Sequence, residues 1–269
     1  MKRSVVLFVF TLAFSGIVSA QEESSKNSVN AVHVSDIMYK KTIIRALDLR
    51  EKQNLPLFSR NRELPALLLD AVAEGTIKPY ENDSLSNLLT IDEFSKRLLF
   101  SSASAVIDTT EMILEHGDDW ENIVANQLNE KYLPRDLYQL ELKEEVLFDK
   151  QHSRMRYNIQ VLTLYIPADH PMNEKGIQTP LASFSYKELV ENLFENNPKA
   201  IWYNTQNERE HKNLADAFDL RLFSSYIIKV SNPNDSYLAD LYNDQQKGIM
   251  VSSWATEELM EYEHNLWEY

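Results

Sequence analysis

The chain contains no cysteine and only 5 glycines in 269 residues. Without cysteine there is no disulfide, no thiolate nucleophile, no thiolate metal ligand and no lipid attached through sulfur. So few glycines leave little material for loops that cradle phosphate through close backbone approach. Neither a Walker-type nor a dinucleotide-type glycine pattern occurs. Gly-x-Ser-x-Gly, the elbow that presents a serine nucleophile, is absent. So is His-Glu-x-x-His, which sets two imidazoles on one helix face for zinc. The six histidines (His33, His116, His152, His170, His211, His264) lie far apart, with no two at i, i+3 or i, i+4. Basic residues are scarce: 27 Lys and Arg against 41 Asp and Glu give a formal charge of −14. Nucleic-acid affinity comes from neutralising phosphates with cations, so that partner class is disfavoured, as is general attraction to anionic membranes.

What is present begins with a leader. Lys2 and Arg3 precede a near-continuous apolar run from Val5 to Val18, and Val18-Ser19-Ala20 puts small or branched residues at the cutting positions of a signal peptidase. The run is shorter than the ~20 residues a membrane span needs. The expectation is a secretory signal over 1–20, cleaved before Gln21, whose removal takes the formal charge to −16. The product is expected to be a soluble periplasmic protein without lipid anchor or membrane span. Residues 21–34 read as a flexible polar tail, and 35–269 as the globular region, with a sub-division near residue 132.

Ile43, Ile44, Ala46, Leu47 and Leu49 fit an extended or a short helical segment equally well. Leu64, Leu67, Leu68 and Ala71 recur at helical spacing and predict a helix over Glu63–Glu74, with Pro65 in its first turn and Gly75 closing it. Thr76–Tyr80 reads as a short strand. Thr90-x-x-Glu93 is a capping box opening a helix that buries Phe94, Leu98 and Leu99. Asp118 or Asp119 opens another, with Trp120, Ile123, Val124 and Leu128 on one side. Leu137–Phe148 and Tyr157–Ile166, around the polar turn Asp149–Ser153, predict a β-hairpin. A helix over Tyr186–Asn196, a strand at Ala200–Tyr203, a helix over Glu208–Asp219 and a strand over Phe223–Val230 follow. A short helix over Asp235–Tyr242 and an amphipathic helix over Trp254–Trp267 complete the chain. With no βαβ rhythm the fold class is α+β: mixed helices, a central antiparallel hairpin or sheet, and a C-terminal amphipathic helix.

Residue clusters that carry chemistry are few. Glu115-His116-Gly117-Asp118-Asp119 reads as a polar loop leading into a helix cap, and Asp169-His170-Pro171 as a turn. No catalytic residue, metal ligand or cofactor is assigned. Interaction-like patterning is clearer. From Lys40 to Arg62 there are seven basic residues, including Lys40, Lys41, Arg45, Arg50 and Arg62, against two acidic ones. From Glu257 to Tyr269 there are five glutamates and no Lys or Arg. In that acidic end Leu259, Tyr262, Leu266 and Tyr269 form an apolar stripe beside Trp267. Two solvated faces and a stripe packed into the core are the ordinary reading of this patterning; as the alternative, patches of opposite sign suit a heterologous contact between neighbouring subunits.

Four segments occur in order. Asp36–Lys41 runs into Asp48–Leu57, and Gly75–Lys78 is followed by Tyr80. Leu147–Lys150 is joined to Ser153–Tyr157 and Ile166–Ala168, where Phe148, Asp149, Lys150, Ser153 and Met155 stand out. Tyr262–Tyr269 contains Glu263 and His264. Together they resemble the gliding-motility protein N family, the GldN/PorN proteins of the type IX secretion machinery of Bacteroidota. The resemblance implies a non-enzymatic periplasmic structural subunit without a cofactor. It implies a ring formed with an outer-membrane lipoprotein, the K protein, and contact with the periplasmic part of the motor protein M. The residues by themselves leave a second class open: a periplasmic ligand-binding module, or a hydrolase whose active site is assembled from distant positions. That class predicts a pocket with converging polar groups and shifted titrating residues. An assembly subunit predicts an exposed apolar or aromatic patch instead.

Overall fold

The structure, a computed structural model, describes residues 27–30, 32–99, 131–171, 173, 176–195, 197–242 and 245–267. The leader over 1–20, the helix expected from Asp118 or Asp119, His116 and Tyr269 lie outside the described residues.

The strands in chain order are β1 (Ile37–Asp48), β2 (Gln139–Asp149), β3 (Arg154–Ile166), β4 (Thr179–Ser185), β5 (Ile201–Trp202), β6 (Lys212–Asn213) and β7 (Tyr226–Val230). Five form one antiparallel sheet in the order β4-β3-β2-β1-β7, and β5 pairs with β6 alone. The helices are α1 (Leu64–Ala73), α2 (Ile91–Leu98), α3 (Tyr186–Leu189, continued by a π turn over Val190–Phe194), α4 (Leu214–Asp219), α5 (Leu238–Tyr242) and α6 (Gln245–Trp267). The mixture is α+β, with the antiparallel hairpin at the centre of the sheet and a long C-terminal helix.

Residues directly opposite in a ladder share a face, so register sorts the side chains. Ile43 stands opposite Glu144, Arg45 opposite Leu142 and Leu47 opposite Leu140. Leu142 and Leu140 face Leu162 and Leu164, which face Phe184 and Ala182. On this inner face Leu47, Leu140, Leu142, Leu162, Leu164 and Phe184 join Leu64, Leu68 and Val72 of α1, Leu189 and Phe194 of α3 and Phe218 of α4 in one large core. Farther along, Ile43, Val146, Phe148, Met155 and Ile227 form a second core with Leu238 of α5 and Val251, Ala255 and Leu259 of α6. β3 serves both cores only because of a register shift opposite Lys143/Glu144. That bulge lets Met155 and Ile159 before it, and Leu162 and Leu164 after it, point the same way despite a change of parity.

Short-range signals hold. In α2 the Thr90 hydroxyl accepts from Glu93 N–H at 3.3 Å and the Glu93 carboxylate accepts from Thr90 N–H at 3.0 Å. Phe94 and Leu98 are buried, while Leu99 is only partly so. Gly75 closes α1 with φ of 73°, a left-handed conformation glycine adopts without strain. The segment from Ile43 resolves as strand up to Asp48, with Leu49 in the turn that follows. Other expectations shift. Thr76–Tyr80 forms no strand; Tyr80 makes single bridges to Leu88 and Ser183, and the loop between Tyr80 and Leu88 docks on the edge of β4. The helix expected from Glu208 starts at Leu214, because Lys212–Asn213 pairs with β5 and the Asn213 side chain caps Ala215 N–H at 2.8 Å. The last helix begins nine residues earlier than its apolar stripe suggested. Within the expected tail, Ser28 and Val32 are buried, and Asn30 donates to Asp219 at 3.3 Å.

Phe184 is fully buried in the larger core. Phe184→Ala should cost about 3–5 kcal/mol in urea unfolding, the range for a large aromatic removed from a packed site. Thr90→Ala should cost about 1 kcal/mol through loss of the cap.

Candidate functional site

The β2–β3 turn is organised by one carboxylate. Asp149 accepts from the backbone N–H of Gln151 (2.9 Å) and His152 (3.3 Å), and lies 2.7 Å from His152 Nδ1 and 3.1 Å from Arg156. Burial pushes its carboxyl up, but these hydrogen bonds outweigh burial and hold it below the usual carboxylate range. Ser153 takes φ of 48° to complete the turn. Lys150 N–H donates to the Asp36 carbonyl at 2.8 Å, and the Gln151 amide to the Asp36 carboxylate at 2.9 Å. Met155 N–H donates to the Glu263 carboxylate of α6 at 2.8 Å. The Tyr39 and Tyr262 rings meet at 4.4 Å. Three of the four family-like segments therefore meet at one end of the sheet. Phe148 and Met155 lie beneath them in the second core, and His264 faces outward.

The basic segment does not form one patch. The face of β1 that carries Ile43 and Leu47 turns inward, and Arg45, between them, goes with it. Arg45 is buried, 3.0 Å from Glu144, which also holds Arg221 at 3.1 Å. Both guanidiniums lie over the Tyr157 ring, at 5.7 and 5.0 Å. The expectation of Arg45 as a surface contact is thus corrected by strand parity. Arg50 is held by Asp48 at 2.9 Å and lies 3.5 Å over the Tyr138 ring. The Tyr138 hydroxyl donates to Asp169 and is pushed up to about 12, by burial first and then by that bond, against the opposing Arg50 charge. Lys40 pairs with Glu145 at 2.8 Å, Lys41 is half-buried, and Arg62 is exposed. Because Tyr39 stacks on Tyr262, the basic strand and the acidic helix meet within one chain.

α6 has two apolar lines. Val251, Ala255 and Leu259 face the second core, with Leu266 packed beside them. Tyr262 joins that side through Tyr39. Ile249, Met260 and Trp267 form another line, because separations of eleven and eighteen residues are close to whole turns of a helix. Met250 and Trp254 lie farther round the helix, and all five are more than half exposed. The sequence reading caught Trp267 but missed Ile249, Met250, Trp254 and Met260. Only the long-range spacing of Ile249, Met260 and Trp267 could have revealed them.

The opposite face of the sheet is open and polar. A cleft of about 620 Å³ lies over Thr42, Glu141, Lys143, Thr163, Tyr165 and Lys229, walled by Asp83 of the 80–88 loop and by Asp235 and Tyr237. A second space of about 610 Å³ shares Glu141, Tyr165 and Tyr237 and extends to Tyr226 and Ile228. Lys143 pairs with Asp83 at 3.0 Å and Lys229 with Asp235 at 2.7 Å. Glu141 is buried and accepts from the Tyr165 hydroxyl at 2.9 Å. Burial raises its carboxyl pKa, the Tyr165 bond opposes this, Asp83 adds to the rise, and the Lys229 charge pulls it back a little. Burial, then the Glu141 charge, raises the Tyr165 hydroxyl as well. None of these residues carried a sequence signal. Polar residues alternating along a strand read as an ordinary solvent face.

Two measurements check this electrostatic picture. Glu144→Gln leaves Arg45 and Arg221 facing each other without a counter-ion and should cost about 3–5 kcal/mol in urea unfolding. Glu141 behaves oppositely. With its folded pKa raised, the protonated form fits the fold better, so its contribution is intact below the ordinary carboxylate range and lost as pH rises through the folded pKa. Glu141→Gln should therefore raise the melting temperature at neutral pH, with the gain vanishing below about pH 4.

A family model described as gliding motility associated protein GldN matches residues 32–268. No curated protein matches the chain. Among the described residues no helix is long and apolar enough to cross a membrane, and no group of three or more His, Asp or Glu could hold a metal ion.

Proposed function

Given that the chain belongs to the gliding motility associated protein GldN family, components of the gliding-motility and type IX secretion machinery, we propose that it is a non-enzymatic periplasmic subunit of that machinery. In this reading it builds a ring under the outer membrane with a K-type lipoprotein and copies of itself, and touches the periplasmic part of the M-type motor protein. The apolar leader at the start of the chain supports the compartment. The observation that carries the assembly role is the outward line of α6. Single exposed apolar residues are ordinary on any protein. Ile249, Met260 and Trp267 on one line, with Met250 and Trp254 farther round the helix, instead put five large exposed apolar side chains on one helix, two of them tryptophan, the residue type most enriched among interface anchors.

The helix that carries these side chains is fixed to the sheet by the Glu263–Met155 bond and the Tyr39–Tyr262 contact. A rigid mount keeps the ordering cost of binding low. We assign these side chains to the lipoprotein, which would hold at the membrane a chain that has no spanning helix among its described residues. Trp254→Ser combined with Trp267→Ser should leave unfolding free energy within about 0.5 kcal/mol of the parent, as surface changes do. It should also abolish copurification of the lipoprotein from native envelopes. The reading fails if the parent chain leaves the envelope as a monomer with no envelope protein alongside.

A further inference from the structure

We infer that the cleft on the open face of the sheet binds a cationic nitrogen group, the ammonium or guanidinium of a basic side chain on an extended polypeptide, with Glu141 as its counter-ion. This goes beyond the assembly role and does not depend on it.

Four buried carboxylates are found among the described residues: Glu63, Glu141, Glu144 and Asp149. Three have a cation. Arg135 lies 3.2 Å from Glu63, Arg45 and Arg221 lie 3.0 and 3.1 Å from Glu144, and Arg156 lies 3.1 Å from Asp149. Glu141 has none. Its one hydrogen-bond donor among the described residues is the Tyr165 hydroxyl, which engages Oε2, and Glu141 lines the cleft. Taking a carboxylate out of water without a cation is costly, and an uncharged residue would avoid that cost.

Cations do stand nearby, yet they are held elsewhere. Lys143 and Lys229 line the same cleft, and each is paired with an aspartate whose side chain is itself at least half exposed. Both lysines are engaged at the rim, and the carboxylate at the floor keeps an open valence for a visitor. The walls suit the same visitor. Tyr165 and Tyr237 border both spaces and Tyr226 the second, and a positive charge is attracted to the face of an aromatic ring. Tyr237 already does this for Lys229, whose Nζ lies 5.1 Å from the ring centre.

The two spaces share Glu141, Tyr165 and Tyr237, and each falls in the range of about 300–1,000 Å³ typical of ligand sites. Joined, they exceed what a lone amine fills, which favours a side chain carried by a peptide. Residues 100–130 contain no Lys or Arg, so that segment cannot supply the charge.

The test uses the full chain and three probes followed by NMR titration at low salt: acetyl-Ala-Ala-Lys-Ala-Ala-amide, the same peptide with Gln for Lys, and butylamine. The lysine peptide should shift resonances of the cleft residues, and the glutamine peptide should bind at least about tenfold more weakly. Glu141→Gln should lose at least about tenfold in affinity for the lysine peptide. Tyr237→Leu, which leaves the buried carboxylate in place, should lose several-fold, and it keeps the idea testable should Glu141→Gln misfold. Butylamine binding as tightly as the peptide would support the cation site and assign it to free amines; tighter peptide binding supports the polypeptide source. Equal binding of the lysine and glutamine peptides, an unchanged affinity in Glu141→Gln, or silence from all three probes would overturn the proposal.

Discussion

Two hydrophobic cores share one face of one sheet, and a buried charge cluster stands where they meet. On β2 the inward residues run Leu140, Leu142, Glu144, Val146, Phe148, so an anion interrupts an otherwise apolar row. It is tolerated because Arg45 from β1 and Arg221 from the α4–β7 connection converge on it. Arg221 reaches it from a residue held at φ of 54°, a conformation that a side chain-bearing residue adopts only when its surroundings impose it. The cluster also fixes register. Sliding β1 by one residue against β2 would turn Arg45 outward and bury its neighbours, leaving Glu144 with Arg221 alone. Apolar packing alone would tolerate several alignments of leucine against leucine; a buried ion pair tolerates one.

The second core depends on that register, and the C-terminal helix depends on the second core. Ile43, Val146 and Phe148 are placed by the β1–β2 ladder, and α6 lays Val251, Ala255 and Leu259 across them. The residues of the family-like segments then act as fasteners. Asp149 locks the hairpin turn, Asp36 ties the turn to the start of β1, and Glu263 caps the free N–H of Met155. Their bonds within the chain set the angle at which α6 presents its outer line.

What was legible in the sequence was local. The capping box at Thr90, the glycine closing α1, the hairpin turn and the inward residues of α3 each follow from interactions within a few positions. What was not legible depended on the third dimension. Arg45 looked like surface charge until the parity of β1 placed it beside Leu47. The stretch after Gly75 looked like a strand, but its Asn-, Asp- and Ser-rich continuation made a loop that only touches β4. Gly248 lies inside α6, where glycine lowers helix propensity by about 1 kcal/mol. The helix therefore seemed to begin later than it does, which left Ile249 and Met250 outside it. Glu141 gave no signal at all, because an isolated glutamate on an alternating strand is indistinguishable from one that faces water.

The two faces of the sheet treat charge differently, and the difference separates folding from function. On the inner face the buried acid is matched by cations, as folding alone demands. On the open face the buried acid is left unmatched although two lysines line the same cleft and are paired with exposed aspartates instead. Folding alone would favour a neutral residue at position 141, since an ionised carboxylate there opposes burial at neutral pH. Natural chains carry such locally unfavourable groups chiefly where a site requires them. The inner face and α6 thus account for how the chain is built, while Glu141 on the open face is, among the four described buried carboxylates, the one without a cation at ion-pair distance.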